Sequence, residues 1–92
     1  MLATIIKQPA DQLDYDIDYG RWLPDGDAVT MAETAVEPVG ELVIESVQIT
    51  DRIVKVWLAG GIDGGSYKIT VTASTSGGRI KETEFRLRVR DR

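Results

Sequence analysis

The chain has 92 residues, with 15 acidic and 11 basic side chains and a formal net charge of −4. That length makes one domain that buries roughly 60 % of its unfolded surface, and the acidic balance argues against non-specific nucleic-acid binding. Cysteine and histidine are both absent, which removes disulfides, thiolate metal sites, the commonest general base and the commonest transition-metal ligand together.

Residues 1–12 read as a flexible leader, in which Ile5 and Ile6 are apolar enough to pack or to add to a sheet edge and Pro9 would stop regular pairing. Its apolar start is short, and Lys7-Gln8-Pro9 follows too soon for a secretory signal. No run approaches the ~20 apolar residues of a membrane helix. The expectation is a small gene product, soluble in the cell that makes it, without a signal peptide. Leu13 to Tyr19 alternates, with Leu13, Tyr15, Ile17 and Tyr19 on one face and Asp14, Asp16 and Asp18 on the other. Such alternation marks a half-buried strand. Residues 20–27 form a turn with Pro24, Asp25 and Gly26. Residues 28–35 form the next strand, with Val29 and Met31 inward. Residues 42–50 form another, and its apolar parity switches between Ile44 and Val47, which predicts a bulge or a crossing between sheets.

Asp51-Arg52 turns into residues 53–59, where Val54, Val56 and Leu58 face inward and Lys55 and Trp57 face away. A glycine-rich connection over 60–65 leads to the strongest pattern in the chain. Tyr67, Ile69, Val71 and Ala73 alternate with polar residues, as do Phe85, Leu87 and Val89. A core face must meet a core face, so Ile69 pairs with Phe85 and Tyr67 with Leu87. That register leaves Ser76, Gly77 and Gly78 as the loop. Three-residue hairpin loops place a positive φ at the third position, so Gly78 is expected to be left-handed. The fold expectation is all-β: an immunoglobulin-like β-sandwich of six or seven antiparallel strands over residues 13–92.

Chemistry is sparse. The glycine pairs at 60–61 and 64–65 lack the Lys and Ser/Thr of a phosphate loop, and no helix follows them. Asp11, Asp14, Asp16, Asp18, Asp25 and Asp27 invite a calcium reading, but three of them alternate outward along one strand instead of converging. No histidine or cysteine exists to build a catalytic triad, so no enzyme activity and no cofactor are expected. Trp22 and Trp57 lie off the core parity. They suit contact with a protein or a carbohydrate, or simple packing of Trp22 over the end of the sandwich near Trp57. Acids crowd residues 11–45, while Arg86, Arg88 and Arg90 crowd the last strand. That polarity suits head-to-tail contacts between copies, or solvated edge strands.

Several segments resemble a family of small tailed-phage and prophage virion structural proteins, described as fiber-tail adaptors. They are Lys7-Gln8-Pro9, Leu13 to Tyr19, Trp22-Leu23 and Asp25-Gly26-Asp27. Further on come Val56 to Gly61, Gly64 to Tyr67, Thr75 to Arg79, and Phe85 to Arg90. The resemblance covers most of the chain; residues 31–50 are the least distinctive, and members often carry Trp where Tyr19 stands here. It implies a virion part near the tail or the head-tail junction, working by protein–protein attachment to other tail proteins or to itself, often in ring-like multiples. No membrane and no small-molecule substrate are implied. Asp14, Asp16 and Asp18, Trp22, Trp57, and Arg86, Arg88 and Arg90 are the candidate contact residues, the charged ones on expected edge strands, with the leader ordering on assembly. The rival expectation is a carbohydrate-binding or adhesion module that uses Trp22 and Trp57.

Overall fold

The computed structural model describes residues 3–90; Met1 and Leu2 of the expected leader, and Asp91 and Arg92 at the end, lie outside them. Seven strands run β1 (Ala3–Lys7), β2 (Leu13–Asp18), β3 (Val29–Glu37), β4 (Leu42–Thr50), β5 (Ile53–Gly60), β6 (Ser66–Thr75) and β7 (Ile80–Val89). They form two sheets, β1-β7-β6-β3 and β2-β5-β4. The second, fifth and fourth strands face the third, sixth and seventh, which is the immunoglobulin arrangement.

The sheets join through the inward halves of the alternating strands. Val54, Val56 and Leu58 of β5 meet Ile69, Val71, Leu87 and Val89 of β6 and β7, all fully buried. Each such side chain contributes about 1.5–3 kcal/mol of burial. The hairpin has the expected register: Ile69 is opposite Phe85 and Tyr67 opposite Leu87. Gly78 has φ 86°. The β4 irregularity falls between Ile44 and Ser46, where Glu45 bulges and the inward parity passes from Ile44 to Val47.

Four expectations need correction. The leader is not free chain, because Ala3–Lys7 pairs with β7 in parallel, Ile5 opposite Leu87 and Lys7 opposite Val89. The strands are therefore not all antiparallel. Because β1 covers it, β7 lies inside its sheet and is not an edge; the edges are β1 and β3 in one sheet and β2 and β4 in the other. Met31 points outward and is half exposed. The register of β3 shifts between Val29 and Met31, and this bulge at Thr30 flips the faces beyond Val29.

Two devices hold the connections. The Tyr67 hydroxyl accepts a hydrogen bond from the Ile62 backbone N–H at 3.1 Å, as in the tyrosine corner of immunoglobulin domains. Gly65 makes room for it, since a Cβ there would lie 2.9 Å from the Tyr67 ring and hydroxyl. Lys7 is buried, and its ammonium donates to the carbonyls of Gln8 (2.7 Å), Pro9 (3.1 Å) and Gly60 (2.6 Å). Burial lowers its pKa, and the Asp11 carboxylate opposes that shift. The ammonium thus ties the end of β1 to the end of β5.

Candidate interaction faces

The polar half of each strand builds two broad outer faces. On the three-stranded sheet, cross-strand rows set Asp14 beside Trp57 and Ser46, Asp16 beside Lys55 and Gln48, and Asp18 beside Ile53 and Thr50. Asp14, Asp16 and Asp18 are exposed, as the alternation requires. Lys55 reaches Asp14 at 3.4 Å and Asp16 at 4.0 Å, so one ammonium serves two carboxylates and the row keeps a negative excess. Burial pushes the Tyr15 hydroxyl up, and the Asp11 and Asp14 carboxylates push it further. The row lies on β2, a free edge strand.

The four-stranded sheet carries the opposite sign at one end. Arg86 and Arg88 are exposed on β7, and Arg90 is exposed just past its end. Arg86 sits opposite Thr4 of β1 and Lys68 of β6, and Arg88 opposite Ile6 and Ser66. Ile6 is half exposed among them. Arg86 donates to the Ser66 hydroxyl at 3.3 Å. Among the described residues, the ion pairs involve none of these three arginines, whereas Lys68 lies between Glu37 and Glu84 at 4.0 and 3.8 Å.

The two tryptophans are placed apart. Trp22 follows β2 at the end of the sandwich. Its ring tilts against Tyr19 with centroids 5.8 Å apart, and the Lys81 ammonium lies over it at 4.9 Å. Trp57 is half-buried on the outer face, opposite Asp14. Asp14 is four positions before Asp18 on β2, roughly 13 Å at the ~3.3 Å rise of a strand. Trp22 therefore packs over the end of the sandwich, but on Tyr19 and not near Trp57, which faces out from the sheet, so the rings form no shared platform. Behind Trp22, the Tyr19 and Thr83 hydroxyls are buried side by side without a well-formed hydrogen bond. Burial raises the Tyr19 pKa, and the Thr83 hydroxyl partly offsets this.

The aspartates do not act alike. Asp18 accepts from the Gly20 N–H at 2.8 Å and Asp11 from the Gln8 N–H at 3.1 Å. Asp27 is buried and accepts from the backbone of Ala28 and Gly77, the hydroxyls of Thr75 and Ser76, and the Arg79 guanidinium, all within 2.8–3.0 Å. Burial alone would raise its pKa; these donors outweigh it and hold the carboxyl far below the usual range. Asp27 is a structural clamp between the β2–β3 connection and the β6–β7 turn. Neither this clamp nor buried Lys7 announces itself in the sequence, where Asp27 closes an expected turn and stands among the calcium candidates, and Lys7 falls in the flexible leader.

The family described as podophage GP4 fiber-tail adaptor protein gp77 matches residues 7–88. The chain belongs to this family. The match takes in β2 to β7 almost entirely, with both outer faces and the Asp27 clamp. Among curated proteins no sequence matches significantly. Membership makes this a structural family rather than an enzyme family, a tail component of the virion, with other virion proteins as its partners.

Proposed function

We propose that the chain is a non-enzymatic joint in the tail or head-tail region that attaches to its neighbours through the outer faces of its two sheets. The observation that carries this reading is the row of Asp14, Asp16 and Asp18 on a free edge strand. An edge offers unpaired backbone groups to an incoming chain, and the carboxylates select what approaches. Inward positions are spent on the core, so recognition falls to the outward ones. The carbohydrate alternative needs Trp22 and Trp57 on one surface, and their separation does not favour it. The test is particle assembly with the combined substitutions Asp14→Lys, Asp16→Lys and Asp18→Lys. These side chains are exposed, so the variant should keep the fold, which circular dichroism checks first; the expected result is a folded chain missing from purified particles. Normal incorporation would overturn the reading.

A further inference from the structure

The four sheet edges are not equally guarded. β3 carries a bulge at Thr30 and β4 one at Glu45, while β2 carries three outward carboxylates. A bulge stops another strand from lying flat, and a row of one charge turns away all but an opposite one. Among the described residues, β1 has neither. Its register against β7 is unbroken from Ala3 to Lys7, and its outward side chains are Thr4 and Ile6, both exposed. The ladder also fixes which backbone groups are open. The Arg90 N–H donates to the Lys7 carbonyl at 2.8 Å, so the odd-numbered residues of β1 turn their N–H and C=O toward β7. Thr4 and Ile6 turn theirs the opposite way, to the open side. Behind them stand Arg86, opposite Thr4, and Arg88, opposite Ile6. Arg86 rests on the Ser66 hydroxyl at 3.3 Å, a neutral acceptor weaker than a carboxylate.

We propose that β1 accepts an extended segment of a different virion protein, one with carboxylates on alternate positions, as a further strand of the four-stranded sheet. The proposal rests on the attachment reading and adds a second contact to it, with its mode and the partner's chemistry. Backbone hydrogen bonds to Thr4 and Ile6 supply affinity, and the arginines select the sequence that docks. Among the described residues, neither Arg86 nor Arg88 has a carboxylate of its own. The added strand lies two strand spacings from β7, roughly 10 Å, a gap that an arginine and a glutamate span from either side over the small Thr4. Ile6, half exposed, gives the same face an apolar contact. The Lys7 ammonium, held by the carbonyls of Gln8, Pro9 and Gly60, fixes the end of β1, so the edge is in place before the partner arrives.

The experiment is amide exchange, read residue by residue by mass spectrometry, on the free chain and on intact particles. In the free chain Thr4 and Ile6 should exchange fast, and Ile5 and Lys7 slowly. In particles Thr4 and Ile6 should slow by on the order of tenfold, the equivalent of a net hydrogen bond. Ile6→Pro removes only an open-side N–H, which an edge strand tolerates. It should give a chain that is folded by circular dichroism yet missing from particles, while Ile6→Val is incorporated. Arg86→Glu combined with Arg88→Glu should be lost in the same way. Thr4 and Ile6 amides as fast in particles as in solution overturn the proposal, as does normal incorporation of Ile6→Pro or of the double arginine variant. If Ile6→Pro fails to fold, the exchange comparison on the wild type decides. Slowing of both amides in the purified chain as its concentration rises would put a second copy on this edge and overturn the assignment to a different protein. The attachment reading is tested separately by the aspartate variant, whose loss from particles together with unprotected Thr4 and Ile6 would sink the strand addition alone.

Discussion

Asp27 and Arg79 meet at 2.9 Å across 52 positions of sequence, with the carboxylate buried and the guanidinium half exposed. The pair closes a loop of donors around one carboxyl group and fixes the β6–β7 turn to the β2–β3 connection. Its folded pKa lies well below the ordinary 3.8. A depressed carboxylate contributes stability that is complete above its unfolded value and is lost as pH falls toward the folded one. Stability should therefore decline from about pH 4 downward, where the unfolded chain takes up the proton first. Asp27→Asn should be less stable at neutral pH and show a flatter acid limb. Denaturant melts from pH 7 to pH 2 check both.

Lys7→Met should be destabilising by ~1–3 kcal/mol, since the carbonyls of Gln8, Pro9 and Gly60 lose a shared donor in a buried place. Deleting residues 1–7 should cost more, because it also uncovers the edge of β7. Urea midpoints measure the first. Faster amide exchange along β7, absent from β3, would report the second.

The glycines separate two kinds of constraint. Gly78 has φ 86° with open space around it, so Gly78→Ala should cost only the backbone term, about 1 kcal/mol. Gly61 has φ 97°, and a Cβ there would lie 2.7 Å from a Val89 methyl. Gly61→Ala must strain the chain and displace a core side chain, so it should be the worse of the two by at least ~1 kcal/mol. Thermal melts of both variants test the order.

Tyr67→Phe removes the hydroxyl that receives the Ile62 N–H and should destabilise by ~1 kcal/mol, with little change elsewhere. The Ile62 amide should exchange faster while Val71 and Leu87 keep their protection. Equal loss of protection throughout would show that the corner is not a local device.

Much of this architecture was legible before any coordinates, and the reason is periodicity. Tyr67 to Ala73 and Phe85 to Val89 alternate without a fault, so their register and the left-handed Gly78 follow from matching two apolar faces. The bulge near Glu45 shows as a change of parity. The failures come from pairing that local pattern does not encode. Ala3–Lys7 is five residues long, hardly alternates, and finds its partner at the far end of the chain. Ile5 and Ile6 suggest an added edge strand, but nothing local says that the edge they cover is β7. Met31 was misplaced by one inserted residue, which reverses every face after it.

The lysines offer a direct map of attachment. Lys7 is buried, Lys55 stands in the acidic face, Lys68 lies beside the arginines, and Lys81 covers Trp22 at the end. Acylation of each, measured by mass spectrometry, should be compared between the free chain and intact particles. The account predicts that Lys55 and Lys68 become protected in the particle, while Lys7 is slow in both. A chain present in particles with Lys55 and Lys68 as reactive as in solution would contradict attachment through these faces.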